Sequence, residues 1–185
     1  MIRFLYLSAV LLLIWACQTQ DSKTIENSEK TSTNNTEQKT SPEKVKRYDN
    51  PASSILRGVE IPRGKKTFLT SGLVAPLLDS TANISDAKKR RGDTYTQSIN
   101  TLKRIQGILK EAGLGMKEVV YLRVYIAPDK TKGDEPDFDA WFKAYGEFFN
   151  NEQNPVKVAR TTLGVYRLAR PDILVEVEAV GIYPD

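Results

Sequence analysis

The 185-residue sequence predicts an α+β domain in which helices alternate with apolar strands. Residues 94–112 carry apolar side chains three and four positions apart, which is the spacing of a helix with one buried face. Residues 118–127 and 173–183 are β-branched and aromatic runs, typical of buried strands. Residues 138–150 place aromatic side chains on one broad face, which predicts a second helix. We therefore expect one sheet with both helices on the same face.

The first two strands are predicted at residues 55–59 and 67–75, so that the whole order is β-β-α-β-α-β-β. Gly72 interrupts the second strand, and a glycine inside a strand often marks a bulge or the close approach of another group. Arg63 and Gly64 form a turn signal between the two strands. This signal predicts that the strands pair as a hairpin.

Local signals set several boundaries of the later elements. Asp93 or Thr94 can cap the first helix, and Gly113 ends it. Pro128 ends the next strand, and a polar loop leads from it to the second helix. The strand after that helix is predicted at residues 158–168, before the last strand.

Residues 1–17 resemble the signal peptide and lipobox of a bacterial lipoprotein. Arg3 is followed by about thirteen mostly apolar residues, fewer than the roughly 20 that a membrane-spanning helix needs. The run ends in Ala16 and Cys17, and in lipoproteins the cysteine at this point is acylated. The resemblance implies lipidation of Cys17 and a location in the bacterial cell envelope, anchored to a membrane on the periplasmic side or at the outer membrane. An ordinary cleaved signal and a short anchor helix are the alternatives.

Residues 18–47 are predicted to be a disordered tether. They are mostly Ser, Thr, Asn, Gln, Lys and Glu, with very few large apolar side chains. Such a segment buries too little apolar surface to offset the entropy that its ordering would cost. Residues 48–185 remain for one folded domain, and their number is common for a domain.

The sequence has no histidine and one cysteine, which excludes several classes of site. Serine–histidine nucleophile pairs, His-ligated zinc and cysteine-held iron–sulfur clusters cannot form within one such chain. Chemistry must come from carboxylates, Arg, Lys, Tyr, Ser, Thr and backbone groups. The net charge of +4 includes one tight basic run, residues 88–91, which we interpret as a solvated loop and not as a nucleic-acid surface.

Two polar features interrupt strands that are otherwise apolar. Arg160 follows Val158 and Ala159, and Glu176 and Glu178 alternate with valines, so that the two glutamates share one strand face. A buried arginine needs an anionic partner, because an unpaired buried charge is costly. That partner is either a protein carboxylate or a ligand carboxylate, which a guanidinium grips through two parallel hydrogen bonds. The two glutamates by themselves fit a solvated strand face.

The motifs around these residues follow a recognisable order. They are Thr-Ser-Gly (70–72), Thr-Gln-Ser (96–98), Glu-Ala-Gly-Leu (111–114), Tyr-Gly-Glu-Phe-Phe (145–149), Val-Ala-Arg (158–160) and Val-Glu-Val-Glu-Ala (175–179). In this order they resemble the RidA/YjgF family of reactive imine and enamine deaminases, formerly called L-PSP endoribonucleases. The resemblance covers about residues 55–182. It implies a chorismate-mutase-like fold, a homotrimer with clefts between subunits, and hydrolytic deamination of 2-imino acids to 2-keto acids and ammonia.

The resemblance also implies roles for individual residues. Arg160 matches the arginine that binds the substrate carboxylate, and Glu176 matches the glutamate that positions and polarises the attacking water. Ser71, Gly72 and Thr162 match positions whose backbone groups line the substrate. The implied partners are a small 2-imino acid or other carboxylate and further copies of the chain, without nucleic acid. The implied reaction requires neither a metal nor an organic cofactor.

The chain departs from the family pattern at several points. The family's Gly-Pro-Tyr-Ser segment is absent, Phe142 stands where many members have asparagine, and Val158 stands where proline is usual. The loop of residues 129–137 is longer than in compact members. The departures predict a reshaped cleft and leave two functions open: an imine deaminase, or a non-catalytic trimer that binds a small carboxylate or a protein partner. A ribonuclease activity would lack a histidine general base.

Overall fold

The computed structural model describes residues 44–184 of the chain. The predicted signal segment 1–17, with Cys17, and most of the predicted tether 18–47 lie outside these residues. The first strand begins at Lys46, slightly before the predicted start of the domain at residue 48. Within the described part of the chain, no helix combines the length and the apolar character that crossing a membrane requires.

The described elements follow the predicted alternation of strands and helices. The α-helices are α1 (Ala87–Arg91), α2 (Thr94–Glu111) and α3 (Phe138–Gly146). The strands are β1 (Lys46–Tyr48), β2 (Gly58–Glu60), β3 (Thr67–Leu69), β4 (Leu73–Val74), β5 (Val119–Ile126), β6 (Pro128–Asp129), β7 (Glu135–Pro136), β8 (Ala159–Gly164) and β9 (Val175–Ile182). As predicted, α2 starts at an Asp93 cap, whose side chain accepts a hydrogen bond from the N–H of Thr96, and it ends before Gly113, which has a φ of 76°.

A mixed sheet forms the centre of the domain, with the strand order β3-β9-β5-β8 and with β4 also paired to β9. Strand β9 is antiparallel to β3, β4 and β5, whereas β5 and β8 are parallel. Parallel neighbours need a long crossover, and the chain between β5 and β8 includes α3. Strands β3 and β4 are the two parts of the predicted strand 67–75, separated near Gly72. The predicted α+β class with a mixed sheet is therefore confirmed.

One face of this sheet, called the helix face here, packs against α2 and α3 as predicted. Leu102 and Ile105 of α2 and Trp141 of α3 are fully buried in one cluster with Leu122 and Val177 of the sheet. The opposite face is called the open face. Burial of each large apolar side chain contributes about 1.5–3 kcal/mol, so the helix face holds the main core of the domain.

Helix α3 ends at Gly146, earlier than the predicted residue 150. The N–H groups of Phe148 and Phe149 both donate to the carbonyl of Tyr145 at 3.0 Å, which makes a turn after the helix. Asn150 then has a left-handed φ of 55°, which stops the helical path. Phe149 still lies in the core, with its ring 5.1 Å from that of Tyr145.

The predicted hairpin between the first two strands is wrong. The turn itself is present, because Gly64 has a φ of 80° that favours glycine. However, β2 pairs with β1, and β3 pairs with β9. Arg47 holds β1 in place by donating hydrogen bonds to the carbonyls of Lys157 and Val119.

The interpretation of residues 88–91 as a solvated loop is wrong, because the run lies in α1 and only Lys88 and Lys89 are exposed. Arg90 and Arg91 are each 8% exposed at the end of α1. The Nε atoms of both donate to one carboxylate oxygen of Asp172, at 3.0 and 2.9 Å, and Nε of Arg170 donates to the other oxygen at 3.2 Å. Burial alone would raise the pKa of Asp172, but these hydrogen bonds lower it from 3.8 to about 2.

The lowered pKa of Asp172 predicts a loss of stability in acid. The unfolded chain takes up this proton near pH 3.8 and the folded chain near pH 2, so the stabilisation is complete above pH 3.8 and is lost as the pH falls through about 2. We expect the part of the stabilisation that depends on pH in this way to be about 2 kcal/mol. Urea unfolding of the wild type and of Asp172→Asn between pH 5 and pH 2 measures it. The gap in unfolding free energy between the two should narrow with acid, and a constant gap would contradict the assignment.

Candidate functional site

Alternation along the strands assigns each candidate residue to one face of the sheet. On β5, Leu122 and Val124 are fully buried on the helix face, whereas Arg123 and Tyr125 are more exposed and point to the open face. Residues paired across neighbouring strands share a face. The register of β8 and β9 against β5 therefore decides on which side a functional side chain lies.

Arg160 lies on the helix face, because its partner in β5 is the buried Leu122. Its Cζ is 4.4 Å from the ring centre of Tyr145 and 5.0 Å from that of Phe142, both on α3. Burial lowers the pKa of Arg160, and it raises the pKa of the Tyr145 hydroxyl. An arginine pKa starts so high that the guanidinium stays charged at neutral pH.

Arg160 and Thr162 hold polar atoms without a protein partner. Nη1 of Arg160 and Oγ1 of Thr162 are buried, and neither has a hydrogen-bond partner among the described residues. Both side chains lie on the helix face, two positions apart on β8. A buried polar group without a partner costs about 1–3 kcal/mol, and more if it is charged. The pair is therefore suited to an anionic ligand such as a carboxylate, which could accept from both groups.

Glu176 lies on the open face, where it is paired with Tyr125 of β5 and Val74 of β4. No described residue forms a hydrogen bond or an ion pair with its carboxylate. Gly72 lies directly against this carboxylate: a Cβ built on Gly72 would be 2.8 Å from Cδ of Glu176 and would overlap Oε1. The glycine at position 72 thus leaves the space that the Glu176 carboxylate occupies. Ser71, the residue before it, is exposed.

Glu178 shares the open face with Glu176 but is engaged. Arg123 donates to one of its carboxylate oxygens at 3.0 Å, and the Tyr125 hydroxyl lies 3.4 Å from the other. The strand pattern alone does not distinguish the two glutamates, since both alternate with valines. The cross-strand partner Arg123 distinguishes them and leaves Glu176 as the carboxylate that is open to a ligand or a water.

Arg160 and Glu176 do not form one site within a single chain. They lie on opposite faces of the sheet and two strands apart, with β5 between them. Arg160 is level with Leu122, and Glu176 is level with Tyr125, three positions further along. The strand spacing and the rise per residue give a separation of about 14 Å between their Cα atoms. A small ligand that contacts both residues must therefore lie between two chains.

The described residues offer no evident metal site. Among residues 44–184, no group of three or more His, Cys, Asp or Glu side chains is arranged to hold a metal ion. The buried carboxylate with the most charged neighbours, Asp172, is already bonded to arginines. Among the candidate residues, the groups without a hydrogen-bond partner in the described part of the chain are the guanidinium of Arg160, the hydroxyl of Thr162 and the carboxylate of Glu176.

Comparison with known protein families identifies the family of this chain. A family model described as endoribonuclease L-PSP matches residues 65–183, which include β3 through β9. The chain belongs to this family. The predicted family, also known as YjgF or RutC, is therefore confirmed. The matched range includes the candidate site residues Gly72, Arg160, Thr162 and Glu176.

Individual members of the YjgF/RutC family resemble the chain to different extents. A RutC family protein of Pyrococcus abyssi is 33% identical over 91 residues, which cover 49% of this chain and 63% of that protein. The chain thus spans less than two thirds of the length of the first curated relatives that it matches. A RutC family protein of Pasteurella multocida is 27% identical over 139 residues, covering 75% of this chain and 97% of the relative.

The fold is also that of solved members of the YjgF family. A Rid family protein of unknown function from Yersinia pestis superposes with a TM-score of 0.55 at 23% identity, over 74% of this chain and 98% of that one. This likeness concerns the fold. It agrees with the predicted mixed sheet covered by two helices on one face.

Proposed function

We propose that the protein hydrolyses reactive 2-imino acids, or the enamines in equilibrium with them, to 2-keto acids and ammonia. The observation that carries the proposal is a pair of groups without a hydrogen-bond partner among the described residues, the buried Nη1 atom of Arg160 and the Glu176 carboxylate beside Gly72. The family resemblance names the same two residues. Membership of the YjgF/RutC family supports this type of function.

In the proposed reaction, Arg160 binds the substrate carboxylate and thereby positions the imine carbon. Glu176 accepts a hydrogen bond from a water molecule and takes its proton while the water oxygen bonds to that carbon. Glu176 then returns this proton to the lone pair that the nitrogen regained from the C=N bond, and the C–N bond breaks with its electron pair leaving on ammonia. The new hydroxyl group gives its proton back to Glu176 as the carbonyl forms. A protonated imine is already electrophilic, so orientation and one general base suffice.

Each cleft is proposed to lie between two chains of a homotrimer. The separation of Arg160 and Glu176 supports this, since a single chain cannot bring them to one small ligand. The open face also carries exposed apolar side chains, Leu69 at 67% and Leu163 at 45% exposure, which a neighbouring chain would cover. Light scattering of the purified protein tests the trimer, and a monomer at micromolar concentration would contradict shared clefts.

The activity can be tested by trapping. An amino-acid oxidase generates a 2-imino acid, semicarbazide traps the imine, and the purified protein competes by hydrolysing it. We expect trapping to fall in proportion to the protein added. Trapping that stays unchanged across several side chains would overturn the deaminase proposal and favour the alternative of a trimer that binds a carboxylate without turnover.

Gly72→Ala should lower the activity and leave the fold intact. The new methyl group overlaps only the end of the Glu176 side chain, which can rotate away at little cost to stability. Displacing a catalytic group by about 1 Å can lower the rate about 10²-fold, so kcat/KM should fall on that scale. Gly107→Ala is the matched control, because a Cβ there meets nothing within 4 Å. Equal activities of the two variants would contradict the role of Gly72.

The proposed location is the cell envelope, with a lipid on Cys17 holding the domain at a membrane. We expect Cys17→Ser to release the protein from the membrane fraction and to abolish incorporation of a labelled fatty acid. Ser22→Ala, a substitution just beyond the anchor, serves as the control and should leave both unchanged. A Cys17→Ser protein that stays tightly membrane-bound would contradict lipid anchoring and favour a helix anchor.

A further inference from the structure

We propose that the carboxylate ligand held by Arg160 carries an aromatic ring, and that Phe142 is the residue that selects for it. The inference rests on the proposed function where it concerns the substrate that is hydrolysed. It also predicts which carboxylates bind, and this can be measured without any turnover. It starts from the surroundings of the Arg160 guanidinium. Three rings of α3 lie near its Cζ: Tyr145 at 4.4 Å, Phe142 at 5.0 Å and Trp141 at 5.9 Å from their centres.

The three rings differ in how much surface they leave open. Trp141 is fully buried and Tyr145 is 2% exposed, whereas Phe142 is 46% exposed. Nη1 of Arg160 is buried and has no hydrogen-bond partner among the described residues. A ligand that binds it must approach from the side of the guanidinium that the core does not cover. Of the three rings, Phe142 alone has free surface for the rest of that ligand.

Phe142 belongs to a small apolar surface, the aromatic ledge, which it forms with Phe138. The two rings are stacked, with centres 6.3 Å apart and planes inclined by 27°. Next to the ledge is Gly164 of β8, where a Cβ would lie 3.2 Å from the Phe138 ring. Position 164 therefore places no side chain against the ledge, and the exposed part of Phe142 is free to contact another ring.

Two lysines close to the aromatic ledge in the sequence already have partners among the described residues. Lys143, the next residue on α3, has its Nζ 4.9 Å from the ring of Tyr95, and Lys132 pairs with Asp137 at 3.7 Å. A ligand with a second carboxylate would place it against an apolar ring, where a charge loses hydration without gaining a partner. An aromatic side chain gains stacking with Phe142, and such pairs favour association by roughly three- to tenfold.

Calorimetric titration of the full-length protein in detergent with phenylacetate and cyclohexylacetate tests the inference. The two acids share the carboxylate and the carbon count, but only the first is flat and aromatic. We expect phenylacetate to bind roughly three- to tenfold more tightly, with both acids lost in Arg160→Met. Phe142→Leu should abolish the preference and change the affinity for cyclohexylacetate by less than about twofold. Phe148→Leu, which alters a ring outside the Arg160 cluster, should keep the preference.

The outcomes separate this inference from the proposed function. Equal binding of both acids by the wild type, or a preference that survives Phe142→Leu, would overturn the selection by Phe142 and leave imine hydrolysis standing. Binding of neither acid, or binding that Arg160→Met does not alter, would overturn the carboxylate site itself. Phe142→Asn, which introduces the amide usual in the family, should also lose the preference.

Discussion

Replacing Asp172 with asparagine should lower the free energy of unfolding by about 3–5 kcal/mol. The carboxylate is fully buried and accepts hydrogen bonds from Nε of Arg90, Arg91 and Arg170. Asparagine keeps the size but removes the charge, so that two guanidinium groups, each 8% exposed, lose their counter-ion. Breaking a buried ion pair from one side is costly because the remaining charge stays desolvated.

Urea unfolding at neutral pH measures this loss. Lys89→Gln is a matched control from the same helix, since Lys89 forms an exposed pair with Asp86 at 3.8 Å and is 75% exposed. We expect the control to change stability by at most about 0.5 kcal/mol. A loss below about 1 kcal/mol for Asp172→Asn would show that the arginines find water or other partners, and would contradict the account of the cluster.

Replacing Arg160 with methionine should lower kcat/KM by about 10²- to 10⁴-fold, because two charge-assisted hydrogen bonds to the substrate carboxylate contribute about 1.5–3 kcal/mol each. Arg160→Lys should recover little, since lysine retains the charge but lacks the planar fork. The free energy of unfolding of Arg160→Met should not fall together with its activity. The methionine side chain keeps the packing against Tyr145 and removes the buried Nη1 atom, which has no hydrogen-bond partner among the described residues, so the unfolding free energy should stay the same or rise.

The trapping assay measures the activity of Arg160→Met, and urea unfolding measures its stability. Arg57→Met is the control, because Arg57 is an exposed arginine whose Nε donates to the Asp49 carbonyl. It should leave activity unchanged. An Arg160→Met protein with normal turnover would remove Arg160 from the mechanism, and one that unfolds readily would mean that the arginine serves the fold.

The main elements could be predicted because their signals are local. Apolar spacing located α2 and a β-branched run located β5, each to within about two residues. The pairing of β1 with β2 could not be predicted in this way. It depends on Arg47 reaching the carbonyl of Lys157, 110 positions away, and no periodic pattern records such a contact. Likewise, Arg90 and Arg91 look solvated locally because their partner Asp172 is distant in sequence.

The candidate site could be predicted in part. Arg160 stood out as a charge within an apolar strand, and strand alternation placed Glu176 and Glu178 on one face. Which glutamate is free depends on Arg123, and this requires the register between β5 and β9. The ring of Phe142 over Arg160 requires the placement of α3 against β8, which the sequence does not encode locally. The ion pair of Glu178 and the contact of Phe142 with Arg160 can therefore be recognised only from the tertiary packing.

The central claim is that one cleft takes Arg160 from one chain and Glu176 from another. Co-expression of an Arg160→Met chain and a Glu176→Gln chain, carrying different affinity tags, tests it most directly. Each variant alone should be inactive in the trapping assay. Mixed oligomers purified through both tags should regain about a third of the wild-type activity, because a trimer that contains both variants has three shared clefts and unites the two intact residues in one of them. Mixed oligomers as inactive as the single variants would contradict the shared cleft.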